Sequence, residues 1–129
     1  MNASQLRRVV ERSLLAPEYD SKSYVNDYLR VHMNRFVETI GLLQPIMGPG
    51  MRIVDLGSYG SLLPALREIL GATDVTLTEP SQERKPASED TFLQNARNGV
   101  PYPFHVDRFD IEGPFPYENA RFDIVIFTE

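Results

Sequence analysis

Three acidic residues and two glycines follow short apolar runs, and their spacing is typical of a site for a nucleoside-like ligand. Asp55 lies near the end of the run "RIVDL" and is followed by Gly57 and Gly60. Glu79 follows a second run, 24 residues after Asp55, and Asp110 follows a third. Glycines let the backbone N–H groups of a turn approach a ligand, and a carboxylate can accept hydrogen bonds from ribose hydroxyls. We therefore expect a cofactor site built from these residues.

The elements that must position these residues are predicted from four short apolar runs, which are typical of β-strands. The runs are "RIVDL", "DVTLT", a stretch near Phe104–Val106 and "DIVIF". The last run reads as a strand buried on both faces. Because strands alternate with helical segments, the sequence predicts an α/β fold with a Rossmann-like parallel sheet of about four strands.

Two helices are predicted among these strands. Residues Leu62–Leu70 form one, with Pro64 in its first turn, where a missing N–H does no harm, and Gly71 closing it. A second, short helix is predicted over Ser88–Ala96.

Residues 1–50 are predicted to form an N-terminal helical segment. Apolar residues recur at helical spacing over 6–14, and a second helix follows Ser21 or Ser23 with a broad apolar stripe that continues to Ile40. The stretch "QPIMGPG" then ends the helix.

Composition excludes several classes of function. The net charge is −5 over 129 residues, so no basic stripe favours nucleic acid, and the absence of cysteine excludes thiolate metal sites. His32 and His105 lack the sequence neighbours of a metal site, and we expect no metal. The first 15 residues lack the continuous apolar region of a signal peptide, and no run reaches membrane-spanning length, so we expect a cytoplasmic protein without a membrane partner.

The chain resembles the Rossmann-like, class I methyltransferases that use S-adenosylmethionine. The stretches that carry the resemblance are "VDLGSYG" (Val54–Gly60), "VTLTEP" (Val75–Pro80) and "DRFDIEGPFPYENARFDIVIFTE" (Asp107–Glu129). The resemblance covers Arg52 to Glu129, a little over half of the chain. It implies that residues 51–129 are the cofactor-binding half of a methyltransferase domain.

The resemblance also implies a role for each residue of the site. The methionine part of the cofactor would lie against the turn after the first strand, at Asp55, Gly57, Ser58 and Gly60. Glu79 would hold the ribose hydroxyls, Asp110 would accept a hydrogen bond from the adenine amino group, and Ile111 would pack on the adenine face. Asp107 and Glu112 compete with Asp110 for its role, because all three lie in one loop region.

Two features depart from the family pattern. The usual glycines of the loop are replaced by Tyr59 and Ser61, which leaves a D-x-G-x-x-G arrangement. The resemblance also stops at the fourth strand, whereas the family's sheet continues, so we expect this chain to be a truncated form. The run "DIVIF" would then be an edge strand with unpaired backbone, which favours self-association into a homo-oligomer.

These observations predict a methyltransferase with an unidentified methyl acceptor, and they identify no catalytic residue. Asp123 is interpreted as a turn or solvent residue rather than a ligand. One alternative is a non-catalytic module that binds the cofactor or another chain. A nicotinamide-dependent oxidoreductase is the other, although "GSYGSL" does not match G-x-G-x-x-G.

Overall fold

A mostly parallel sheet with helices packed against one face makes up the part of the chain that this computed structural model describes. The structure describes residues 1–14, 29–56, 62–81, 87–94, 101–110 and 112–127. The helices are α1 (Ala3–Leu14), α2 (Met33–Leu43) and α3 (Leu63–Glu68). The strands are β1 (Arg52–Leu56), β2 (Asp74–Pro80), β3 (Ala87–Gln94), β4 (Pro101–Phe109) and β5 (Ile124–Phe127).

The strands form one sheet in the order β3-β4-β2-β1-β5. Neighbouring pairs among β4, β2, β1 and β5 are parallel, and β3 alone in this sheet runs antiparallel, against β4. The predicted fold class is therefore confirmed, and the four predicted strands take the Rossmann-like arrangement. The sheet has one strand more than predicted.

The additional strand corrects the helix predicted over Ser88–Ala96, because Ala87–Gln94 is β3. Its apolar residues do not define a helical stripe, and the alternation of polar side chains suits cross-strand pairing instead. Ser88 pairs with Asp107 and Asp90 pairs with His105 in the register of the two strands. Tertiary pairing with β4 thus decides the conformation of a segment whose local pattern is ambiguous.

One face of the sheet, here called the helix face, carries Ile53, Val75, Leu77 and Ile126 and packs against the helices. Register and the alternation of side chains place Val54, Thr76, Thr78 and Val125 on the opposite face. The carboxylate of Glu68 in α3 ties three elements together on the helix face. It accepts hydrogen bonds from the Ser13 hydroxyl in α1 at 2.7 Å and from the Tyr102 hydroxyl in β4 at 2.8 Å.

The helix α3 agrees with the prediction in its main features. Pro64 lies in its first turn, and the chain leaves the helix through Gly71, whose φ of 67° favours glycine. The helix predicted to continue to Ile40 is interrupted at His32, which forms a turn between helical residues 29–31 and α2. Residues 15–28, where that helix was predicted to begin, lie outside the described residues.

An apolar stripe fixes α2 to the core. Its buried residues, together with one from the preceding turn of helix, recur every three or four positions: Leu29, Met33, Phe36, Ile40 and Leu43. This spacing gives one apolar face in an α-helix.

Among the described residues, no helix is both long enough and apolar enough to cross a membrane.

The strand β5 is held to the sheet from one side. Asp123, just before β5, accepts the backbone N–H of Arg52 at 2.8 Å and pairs with its guanidinium at 3.2 Å, and this contact lowers the pKa of Asp123. Asp123 thus has a structural role.

The two faces of β5 differ in burial. Ile126 is buried, but Val125 and Phe127 are 61% and 63% exposed, so the expectation that both faces of this strand are buried is wrong for the described chain.

The packing of α2 predicts a large difference between two neighbouring substitutions. Ile40→Ala should lower the free energy of unfolding by about 2–5 kcal/mol, because the side chain is fully buried and its loss leaves a cavity. Leu42→Ala, on the exposed side of the same helix, should change it by less than about 0.5 kcal/mol. Urea unfolding followed by circular dichroism measures both. Equal losses in the two variants would contradict this packing of α2.

Candidate functional site at the carboxyl ends of the parallel strands

The parallel strands β1, β2 and β4 end at the same edge of the sheet, here called the acidic edge because Asp55, Glu79 and Asp110 lie at or near these ends. From β1 the chain moves outward to β2, continues to the edge strand β3, comes back to β4 between β3 and β2, and then crosses to the other side of β1 with β5. The strand order therefore reverses next to β1. In open α/β sheets, ligands bind beyond the strand ends at such a reversal.

The register of β1 and β2 brings Asp55 and Glu79 onto one face. Asp55 is the partner of Leu77, and Glu79 lies two residues further along the same strand. Two residues of rise and one strand spacing separate their Cα atoms by about 8 Å. Because side chains alternate between faces, both carboxylates belong to the helix face at neighbouring strand ends. The structure thus brings these two predicted site residues together.

Asp55 is enclosed by protein, with 1% of its surface exposed. Its backbone carbonyl accepts a hydrogen bond from the Thr78 hydroxyl of β2 at 3.3 Å, which links the ends of the two strands. The contact between the Asp55 side chain and a cofactor stays a prediction. Such a contact requires the carboxylate to become accessible when the ligand binds.

Glu79 is partly exposed and forms an ion pair. Its Oε2 accepts a hydrogen bond from Nε of Arg108 in β4 at 2.9 Å. The Nη2 group of the same Arg108 donates to Oε1 of Glu89 in β3 at 2.7 Å. These three residues, here called the Arg108 bridge, connect the carboxyl end of β2 to the antiparallel strand.

Asp110 follows β4 and organises a turn. Its Oδ1 accepts the backbone N–H of Glu112 at 3.0 Å, and its carbonyl accepts the backbone N–H of Gly113 at 3.0 Å. The residue is exposed, so its carboxylate stays accessible to a ligand. Glu112 contributes a backbone donor to the Asp110 turn.

Four predicted cofactor contacts lie outside the described residues, namely Gly57, Ser58, Gly60 and Ile111. The positions that depart from the family's glycine pattern, Tyr59 and Ser61, lie outside them as well. The predicted roles of these residues stay predictions.

Asp107 does not share the position of Asp110. It belongs to the opposite face of β4, is only 6% exposed, and accepts three hydrogen bonds. Oδ1 is 2.6 Å from the Ser88 hydroxyl and 2.7 Å from Nε2 of His105, and Oδ2 is 2.6 Å from the Tyr117 hydroxyl. Burial and this last hydrogen bond raise the pKa of Tyr117. Asp107 is therefore occupied within the protein, which leaves Asp110 as the better placed acceptor.

His105 is a strand residue, as predicted, and lies between two carboxylates. Its Nδ1 is 2.7 Å from Oδ1 of Asp90, and its Nε2 contacts Asp107. The hydrogen bond with Asp90 has the largest effect and raises the pKa of His105, partial burial opposes it, and the charge of Asp107 raises it further. Only the imidazolium form donates from both nitrogens. Among the residues that the structure describes, no group of three or more His, Asp or Glu side chains could hold a metal ion.

Sequence reasoning missed this polar cluster. Its signal is the two-residue spacing of Ser88 and Asp90 in one segment and of His105 and Asp107 in another. That spacing places each pair on one face of a strand. The signal was hidden because the first segment was interpreted as a helix.

The opposite face also carries an aromatic groove formed by the segment between β4 and β5. The groove encloses about 300 Å³ and is lined by Val54, Leu56, Phe115, Tyr117, Phe122 and Val125. The Tyr117 ring packs edge to face on Phe109 and Phe122, with centroid distances of 5.7 and 4.8 Å. This packing covers part of the sheet without a helix in residues 112–123.

Comparisons of the chain with known protein families, with curated proteins and with solved structures found no match. The assignment of a function to the acidic edge therefore depends on the residues themselves and on the strand order.

The His105 contacts predict a stability that depends on pH. The folded state raises the pKa of His105. The stability that the charged imidazole contributes is therefore fully present below the pKa of the unfolded chain, about 6.5, and is lost as the pH rises through the pKa of the folded state. His105→Gln should therefore destabilise the protein more at about pH 5.5 than at about pH 9. Urea unfolding midpoints at the two pH values measure this difference.

Asp90→Asn is the matched control for this experiment. It removes the exposed carboxylate that has the largest effect on the His105 pKa. In the Asp90→Asn background, the destabilisation by His105→Gln should therefore differ less between the two pH values. A destabilisation by His105→Gln that is equal at both pH values would show that the charged imidazole contributes nothing.

Proposed function

We propose that this chain binds S-adenosylmethionine at the acidic edge and is the cofactor-binding half of a methyltransferase whose acceptor is unidentified. The observation that carries the proposal is the alignment of Asp55 and Glu79 on one face, at neighbouring strand ends, where the strand order reverses. This is where open α/β sheets bind nucleotide cofactors.

The side chains of the acidic edge fit this cofactor in charge and as hydrogen-bond acceptors. The partly exposed carboxylate of Glu79 offers acceptors for ribose hydroxyls, and the exposed carboxylate of Asp110 offers one for the adenine amino group. Carboxylates also favour a ligand that carries a positive sulfonium. The negative charge and the hydrogen-bond acceptors of the acidic edge therefore support S-adenosylmethionine.

The bound cofactor supplies a methyl group that is already activated by its sulfonium. The residues of the chain then have to bind and orient the cofactor, because orientation and the exclusion of water account for much of such a rate enhancement. Glu79 would fix the ribose and Asp110 the adenine, so that the methyl group has a defined direction. We assign no general base, since no described residue is tied to an acceptor.

The binding site is tested by calorimetric titration with S-adenosylhomocysteine. Glu79→Ala should weaken binding roughly tenfold to a hundredfold, because hydrogen bonds to a charged acceptor are lost. Glu38→Ala removes an exposed carboxylate of α2 that is not one of the acidic-edge residues, and it should leave the affinity unchanged. NADH, titrated in parallel, should not bind.

Three results would contradict the proposal. A folded chain that does not bind S-adenosylhomocysteine would rule out the cofactor site. Equal losses of affinity in Glu79→Ala and Glu38→Ala would show that Glu79 is not part of the site. Binding of NADH with loss in Glu79→Ala would instead favour the oxidoreductase alternative.

A second function, as an interaction module, is favoured by the outer edge of β5. Among the described strands β5 pairs only with β1, and its exposed side chains include Val125 and Phe127. An apolar strand with an unpaired edge tends to pair with another chain. We propose that two copies of the chain associate through this edge.

Light scattering over a concentration series tests this association. The apparent mass should rise with concentration, and Val125→Lys should lower it, because a charge on an edge strand opposes pairing. The control is Val31→Lys. Val31 is a helical residue that is 77% exposed, and this substitution should leave the mass unchanged. A constant monomer mass for the unmodified chain would contradict the proposal.

A further inference from the structure

Arg108 contacts two carboxylates, those of Glu79 and Glu89, through separate nitrogens of its guanidinium. We propose that Arg108 is a positioning residue for Glu79, and that Glu89 holds Arg108 in place. This inference depends on the proposed function, because it concerns the carboxylate that would bind the ribose. It assigns a role to β3, the strand that the sequence did not predict.

The geometry of the Arg108 bridge separates two donors. Nε of Arg108 donates to Glu79 Oε2 at 2.9 Å, and Nη2 donates to Glu89 Oε1 at 2.7 Å. In many arginine–carboxylate pairs, two such donors hold both oxygens of one carboxylate. Here they are divided between two carboxylates on two strands, so Glu79 is held through one oxygen.

This division leaves Glu79 able to bind a ligand. An ionised carboxylate has about four acceptor positions, and Arg108 occupies one of those on Oε2. The side chain of Glu79 is 43% exposed, which allows the hydroxyl groups of a ligand to approach it. Arg108 therefore limits the rotation of the carboxylate without covering it.

Glu89 has the opposing role in the bridge. It lies in β3 two residues after Ala87, the register partner of Arg108, and it binds Nη2 at 2.7 Å. Without Glu89, both donors of the fork could turn to Glu79 and compete with ribose for its oxygens. The antiparallel strand thus determines how many acceptor positions Glu79 keeps.

Stability alone gives no reason for this arrangement. The side chains of Arg108, Glu79 and Glu89 are 35%, 43% and 52% exposed, and ion pairs this exposed contribute little to folding. An orienting contact, in contrast, strengthens binding by reducing the freedom that the ligand would otherwise have to restrict. The effect should appear in the recognition of ribose hydroxyls.

The test is calorimetric titration with S-adenosylhomocysteine and with its 2′-deoxy analogue, which lacks one ribose hydroxyl. The unmodified chain should bind the first at least about tenfold more tightly, because the hydroxyl donates to a charged acceptor. Arg108→Gln and Glu89→Gln should each bring this ratio towards one, and Arg108→Lys should restore part of it. Arg7→Gln breaks the similarly exposed pair with Glu11 in α1 and should leave the ratio unchanged.

The outcomes separate this inference from the proposed function. If the folded, unmodified chain binds neither ligand, both are overturned. If it prefers S-adenosylhomocysteine and Arg108→Gln keeps the ratio, or weakens both ligands equally, only the positioning role is overturned. Should Arg108→Gln fail to fold, the ratios of Arg108→Lys and Glu89→Gln decide the question in the same way.

Discussion

The pairing of β1 with parallel strands on both sides is the constraint on which the site depends. Ile53 is fully buried on the helix face, and its partners in register are Val75 of β2 and Ile124 of β5. A slip of one residue would move every apolar side chain of a strand to the other face, so burial under the helices fixes the register. The same register brings Asp55 and Glu79 to one face at the acidic edge.

The strand β4 carries a polar network on each face, and β3 contributes to both. On the helix face, Glu89 and Glu79 share the guanidinium of Arg108. On the opposite face, Asp107 is enclosed by hydrogen bonds that include one from His105. The two networks give β3 its cross-strand partners, although the strand has few apolar residues with which to pack. Both networks include residues of β4, whose end precedes Asp110.

The sequence could predict the elements whose signal is local. Apolar runs located the four parallel strands, and the acids that follow them located the edge at which Asp55 and Glu79 meet. The strand β3 could not be predicted, because its conformation depends on pairing with residues that follow their partners by 7 to 21 positions. The choice between Asp107 and Asp110 depends in the same way on Tyr117, which closes over Asp107 from a later segment.

The central claim is that Glu79, at the acidic edge, holds the sugar of an adenosine cofactor. A crystal structure of the chain with S-adenosylhomocysteine tests it most directly, since it locates the ribose relative to Glu79. We expect the ribose hydroxyls within about 2.5–3.0 Å of the Glu79 carboxylate oxygens, with Arg108 still bound to Oε2. A ligand in the aromatic groove of the opposite face, with Glu79 contacting only Arg108, would contradict the claim.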